Sequence, residues 1–156
     1  MSGERQDLLS RGALGTFRLN GQFLALAEEL ARPAGLTAAW WQVLGAVLGE
    51  PLPVSGIARA MGITRQSVQR VADLLVRRGL AEYRPNPAHR RAKLLAPTEQ
   101  GRAAVSRIDP GHAAFAERLS KAYGEAYGDA ELARAVEALE RLSAVLDALG
   151  PPVTEP

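Results

Sequence analysis

The chain has 156 residues, a length suited to one compact subunit that buries roughly 68–70% of its unfolded surface without covalent staples. It has no cysteine, which excludes disulfides, thiolate metal sites and thiol redox switching. The net charge of +2 conceals a segregation: Arg59 to Arg102 holds ten Lys/Arg against three acids, a balance of +7, while the remainder holds nine against fourteen, a balance of −5. A basic block between acidic ends is the electrostatic footprint of a nucleic-acid site. The two histidines, His89 and His112, lie far apart and lack ligand spacing, so no metal or other cofactor is expected. No nucleophile–base pair or phosphate loop is present, which argues against an enzyme. No apolar run approaches the ~20 residues of a membrane span, and the first residues lack a hydrophobic signal core. A cytoplasmic location is therefore expected.

Residues 5–31 read as a long first helix. Leu9, Ala13, Leu14, Phe17 and Leu24 form one apolar stripe, and Leu19, Phe23, Leu26 and Leu30 a second. Two stripes suit a helix buried on more than one side, as at a subunit interface. Gly12, Gly15 and Gly21 each weaken it by about 0.8–1.0 kcal/mol against alanine, so a bend or a close neighbour is expected there. Pro33-Ala34-Gly35 closes the element. The next helix runs over 36–48, capped by Thr37, with Trp41, Leu44, Val47 and Leu48 toward the core. Trp40 points about 100° away. An indole there suits a small-molecule pocket or a dimer interface, and the alternative is that both tryptophans only pack. Glu50-Pro51-Leu52-Pro53 forces a turn.

Val54 to Met61 fits a short helix capped by Ser55, with Ile57, Ala58 and Met61 packing and Gly62 ending it. Thr64 then caps a second helix that Gly79 stops. Its buried stripe draws on Val68, Val71, Leu74, Leu75 and Val76. The opposite face presents Arg65, Gln66, Gln69 and Arg70, the long donors and amides that bond guanine and adenine edges in the major groove. The alternative is a solvated surface helix short of acids. A short helix, a glycine turn and a polar-faced helix form a helix-turn-helix pattern. The segments 80–84 and 92–97 read as strands around a basic, turn-rich tip, Pro85 to Arg91, which makes a wing.

Thr98-Glu99-Gln100-Gly101 opens a further helix that Pro110-Gly111 kinks or breaks, and helix resumes from about His112 to Tyr123. Asp129 is expected to cap a final helix carrying Leu132, Val136, Leu139, Leu142, Val145, Leu146 and Leu149, with Glu137 and Arg141 paired on its outside. That helix is too apolar to be a loose tail and must pack on its own body or on a second subunit. Residues 150–156 are expected to form a disordered tail.

The ordered set Leu36-Thr37-x-x-x-Trp41-x-Val43-Leu44, Ile57-Ala58, Gly62-Ile63-Thr64-Arg65-Gln66-Ser67-Val68, Leu75-x-x-x-Gly79-Leu80, Asn86-Pro87-x-His89-Arg90-Arg91 and Thr98-Glu99-x-Gly101 resembles the MarR family of bacterial winged-helix regulators, over about residues 8–149. The resemblance implies a mainly α fold with a small β-hairpin wing. It also implies one subunit over 1–156, with a winged-helix lobe at about 36–100 and dimerisation helices at 5–31 and 98–149. Further implied are a homodimer, a pseudo-palindromic operator on double-stranded DNA, and repression relieved by a small, often aromatic, ligand. His89 stands where the family usually has an Asp that holds the arginine matching Arg91, and Pro97 replaces a usual β-branched or leucine residue, which would shorten the second wing strand.

On this reading Arg65, Gln66, Gln69 and Arg70 approach base edges, with Thr64 and Ser67 beside them at the helix start. Arg90 and Arg91 at the wing tip enter or straddle the minor groove. Ser55, Arg77 and Lys93 serve phosphates. Phe17, Phe23, Trp40 and Trp41 are the candidates to line an effector pocket. The competing readings are a winged-helix module for protein contacts and a DNA-binding regulator that responds to no ligand.

Overall fold

The computed structural model of the protein describes residues 1–152. They fall into two compact units, Met1–Pro110 and the chain from Gly111 onward.

The first unit begins with α1, Ser2–Ala31, which is continuous through its three interior glycines. Among the described residues nothing but the helix's own backbone lies within 4 Å of a Cβ built at Gly12, Gly15 or Gly21, so none of them packs close there. Only Ala31 of this helix is buried, and Leu9 and Phe17 stand 70% and 71% exposed. A 3-10 turn at Arg32–Ala34 and Gly35, at φ 73°, reverse the chain into α2, Ala38–Val47. Thr37 caps α2 as its sequence predicts, its hydroxyl accepting from the Trp40 amide at 3.1 Å. Glu28 of α1 takes a second orphan amide, that of Ala38, at 2.8 Å.

The short helix α3 spans Val54–Met61 and the polar-faced helix α4 spans Arg65–Arg77. Ser55 is not the cap of α3. Pro53 holds the extended cap position without a side-chain bond, two residues before Ser55, because its fixed φ of −70° suits the turn into the helix. Two strands follow, β2 at Ala81–Arg84 and β3 at Leu94–Pro97, paired antiparallel with Tyr83 opposite Leu95. Pro97 ends β3 after four residues. The segment expected only to turn supplies a third strand, β1, Leu52–Pro53, on the other edge of β3. A proline-flanked dipeptide fits an edge strand because a proline has no N–H to leave unpaired. Thr98 caps α5, Glu99–Ser106, accepting from the Gly101 amide at 3.1 Å. The core joins Val43, Leu44 and Val47 of α2 to Ile57, Val68, Leu75, Leu95 and Ile108, all at most 2% exposed. Apolar burial on this pattern fixes how α3, α4 and the sheet sit around α2.

The helix break foreseen at Pro110-Gly111 falls earlier, at Arg107–Ile108, where Ile108 bonds back to Val105 and buries its side chain. Pro110 instead lies in the first turn of α6, Asp109–Tyr127, where a missing N–H costs no bond. In the second unit α6 ends at Gly128, φ 115°, and α7 runs over Glu131–Leu149. Asp129 does not cap α7. Ala130 is the cap residue, without a side-chain bond, because the turn through Gly128 places its carbonyl on the Glu131 amide. Neither α6 nor α7 contains a buried residue. The Glu137–Arg141 pair forms at 3.2 Å. Of the expected disordered tail, residues 153–156 lie outside the described residues.

Candidate nucleic-acid interface

Thr64 makes α4 begin where it does. Its Oγ1 accepts from the Ser67 amide at 3.2 Å and donates to Ser67 Oγ at 2.9 Å. At the other end Gly79, φ 73°, lets the Leu80 amide return to the Leu75 carbonyl at 2.9 Å, closing a Schellman turn. Between these stops Val68, Ala72 and Leu75 are buried, which aims the opposite side outward. Arg65, Gln66, Gln69 and Arg70 are all exposed. Neither arginine is in an ion pair among the described residues, so their charge faces solvent uncompensated.

The basic tip of the wing is ordered by Asn86. Its Oδ1 accepts from the Ala88 amide at 3.0 Å and its carbonyl from the His89 amide at 3.2 Å, an Asx turn that reverses the chain. A cavity of about 390 Å³ lies between the first turn of α3, the outer face of α4 and the wing. Ser55, Arg65, Gln69, His89, Arg91 and Lys93 line it. The fold thus gathers residues from three separate stretches, nearly forty positions apart, into one cationic concavity beside an exposed helix face. Arg90 faces a neighbouring hollow with Tyr83, Arg84 and Lys93. Among the described residues Arg90, Arg91 and Lys93 form no ion pair. Arg77 is exposed but lies twelve residues beyond Arg65, about 18 Å along the helix axis, away from this concavity.

Two members of the site escaped the sequence reading. Gln69 Nε2 donates to Asp73 Oδ1 at 3.0 Å and to Tyr83 Oη at 2.9 Å, and Tyr83 donates to Asp73 at 2.6 Å. The triangle ties α4 to β2. Burial, then the hydrogen bond to Asp73 and its negative charge, push the Tyr83 phenol up to about 12, against a smaller opposing pull from Gln69. The signal available was the i, i+4 spacing of Gln69 and Asp73; the tyrosine joins them only through the tertiary fold.

The residues named for an effector are less convergent. Trp40 and Trp41 are half-buried against the core, and the Arg78 guanidinium sits 5.6 Å above the Trp40 ring. Phe17 and Phe23 are 71% and 52% exposed on α1.

Comparison with known proteins matches this arrangement. Residues 34–92 match the model of the MarR family. An uncharacterised protein of Mycobacterium tuberculosis, Rv2011c, is 38% identical over 145 residues, 93% of this chain and 99% of that one. The crystal structure of the MarR family transcription regulator SP03579 superposes with a TM-score of 0.71 at 23% identity, over 94% of this chain and 95% of that one. CouR from Rhodococcus jostii RHA1, solved bound to p-coumaroyl-CoA, superposes with a TM-score of 0.63 at 24% identity, over 88% and 91%. Among the described residues no helix is long and apolar enough to cross a membrane. The outward-facing cationic helix, the wing beside it and these matches agree: the chain belongs to the MarR family of winged-helix, DNA-binding transcription regulators, and is not an enzyme.

Proposed function

We propose that the protein is a homodimeric repressor that holds a pseudo-palindromic operator and releases it when a small aromatic ligand binds. The observation that carries the DNA half is the uncompensated cationic surface of α4 and the wing. Arg65, Gln66, Gln69 and Arg70 approach base edges, with Thr64 and Ser67 at the helix start. Arg90 and Arg91 reach the minor groove, and Ser55 and Lys93 hold phosphates. Arg77, farther along α4, serves a phosphate only if the duplex follows the helix to its end.

Pairing is supported by apolar surface that the chain itself leaves open. On α7, Val136, Leu139, Leu142, Val145, Leu146 and Leu149 are 43–73% exposed, a contiguous row at helical spacing that a lone subunit would keep wet. Leu8, Leu9, Leu14 and Phe17 of α1 do the same. A two-fold pair sets two α4 helices about one duplex turn apart, ~34–36 Å.

The effector reading rests on Trp40 and Trp41, with Phe17 and Phe23 as further candidates. A half-buried indole under a guanidinium suits an aromatic ring that carries negative charge, and the fold neighbour CouR holds an aromatic thioester of coenzyme A. Such a ligand acts by preferring one lobe separation over another, and lowers DNA affinity by the ratio of its affinities for the two states.

Selection of bound duplexes from a random pool tests the reading. The expected product is a two-fold symmetric site whose complex dissociates on adding one member of a panel of aromatic acids and their coenzyme A thioesters. An asymmetric site, or no enrichment at all, would sink it.

A further inference from the structure

Glutamine offers two amide hydrogens and one carbonyl oxygen. In Gln69 both hydrogens point into the protein, one to Asp73 Oδ1 at 3.0 Å and one to Tyr83 Oη at 2.9 Å. The hydroxyl of Tyr83 gives its own hydrogen to Asp73 at 2.6 Å, which leaves its lone pair for Gln69. An ionised carboxylate only accepts, so the end of the amide that faces Asp73 must be the NH2. The orientation follows from chemistry rather than from a choice between two similar atoms. The burial that raises the Tyr83 phenol to about 12 keeps that hydroxyl protonated and donating throughout the physiological range.

Resting on the reading that Gln69 approaches a base edge, we propose that Asp73 and Tyr83 are positioning residues that make Gln69 an acceptor-only reader, selecting a base that presents an exocyclic amino group in the major groove. An unrestrained glutamine reads adenine with both ends, donating to N7 and accepting from N6. Here the donor end is engaged, and the carbonyl oxygen alone is left for DNA. Adenine N6 and cytosine N4 can each donate to it. Guanine O6 and thymine O4 bring a second set of lone pairs against it. The consequence is specific: at one position in each half-site adenine and cytosine are both accepted, while guanine and thymine are rejected. Among the described residues the other candidate base readers on α4, Arg65, Gln66 and Arg70, have no side-chain hydrogen bond.

The test is in-vitro selection followed by competition binding on single-base variants of the selected site, with wild type, Gln69→Ala, Tyr83→Phe and Asp73→Ala. Gln69→Ala identifies the position by flattening its preference. Wild type is expected to favour adenine and cytosine there over guanine and thymine by roughly 3- to 10-fold, the worth of one net hydrogen bond. Tyr83→Phe keeps the ring and removes the hydroxyl, which is the acceptor for Gln69 and the donor to Asp73, and so frees one amide hydrogen for adenine N7. Adenine should then gain over cytosine by a similar roughly 3- to 10-fold. Asp73→Ala frees the other hydrogen and should shift the preference in the same direction. A merely structural role for the pair predicts equal weakening at every position and no change of preference, which overturns the proposal. A wild-type preference for guanine or thymine at the mapped position also overturns it. If Gln69→Ala changes no position while selection still returns a symmetric site, Gln69 reads no base and this proposal fails alone. If selection returns no site, the regulator reading fails first.

Discussion

Replacing Gly101 by alanine is expected to loosen the joint between the recognition helix and the wing. The turn after α4 docks on the start of α5 through a small set of bonds. Thr98 Oγ1 donates to the Gly79 carbonyl at 2.6 Å, the Thr98 amide donates to the Leu80 carbonyl at 3.1 Å, and the Gly101 amide donates to Thr98 Oγ1 at 3.1 Å. A Cβ on Gly101 would fall inside the van der Waals envelope of the Leu80 carbonyl oxygen, 3.0 Å from its carbon and 3.4 Å from Leu44 Cδ2. The obstructing atoms are backbone and core, so neither yields cheaply. Overpacking of this kind costs about 1–3 kcal/mol, occasionally more. With a backbone clash the upper figure applies, and the better helix propensity of alanine returns about 1 kcal/mol. The net loss is about 2 kcal/mol, or roughly 4–8 °C in Tm for a chain of this size. The internal control is Gly45→Ala on the exposed side of α2, where no atom lies within 4 Å, and which should stabilise by about 0.8–1.0 kcal/mol. Urea and thermal unfolding followed by circular dichroism measure both. A Gly101→Ala protein as stable as wild type, with Gly45→Ala raised as stated, would refute the packing argument.

Other expectations concern the interface and the assembly. Arg70→Ala should cost roughly 1–3 kcal/mol of DNA binding and relax preference at one base pair; equal weakening on every sequence in a mobility-shift assay would make Arg70 a phosphate contact instead. Binding should fall steeply with salt, and Lys93→Ala should flatten the log–log slope by about 0.9 for each copy in the complex; an unchanged slope removes Lys93 from the phosphate set. Joint Leu142→Glu and Leu146→Glu substitution falls on residues 48% and 54% exposed in the chain. It should leave the fold of the subunit intact while light scattering shows monomers, and a persisting dimer would move the interface elsewhere. The Tyr83 phenol titrates above its unfolded value of 10 because the folded state favours the neutral form. Its contribution to stability is therefore complete below about pH 10 and is lost as pH rises toward about 12. Urea midpoints of wild type and Tyr83→Phe should accordingly converge across that window, and parallel curves would contradict it.

The parts of the fold legible in the sequence are those whose cause is local. Thr37, Thr64 and Thr98 cap helices through a hydroxyl three residues from the amide it serves, and Gly35, Gly62 and Gly79 stop elements by taking a left-handed φ that their neighbours would resist. What escaped depends on partners distant in the chain. Leu52–Pro53 becomes a strand only because β3, some forty residues on, offers it an edge; two residues carry no period to read. Ala72 is buried in α4 because the tertiary core closes over it, although its size gives the pattern little weight. Pro110 marks a start rather than a break because Ile108 is drawn into the core before it. In the site, the exposed arginines and amides were visible as a face. The Tyr83–Asp73 clamp was not, since strand alternation says which side of the sheet a tyrosine takes but not which helix residue meets its hydroxyl.

These nonlocal joints bear on how a bound effector can act. Helix α4 is pinned at two places: to β2 by Tyr83 with Asp73 in its middle, and to the start of α5 by Thr98 with the Gly79–Leu80 turn at its end. A rod fastened at two separated points, one of them on β2, cannot swing against the wing without breaking a charge-assisted bond of 2.6 Å. The cheaper motion carries α3, α4 and the wing as one piece, because packed interiors resist continuous deformation. In the proposed dimer, an effector that lowers affinity therefore has to change the distance or tilt between two intact lobes. Base preference within each half-site should survive when affinity falls. Single-base competition in the presence of a releasing ligand, run at higher protein concentration, should return the same ranking of bases as without it, and a reshuffled ranking would mean that the joint itself yields.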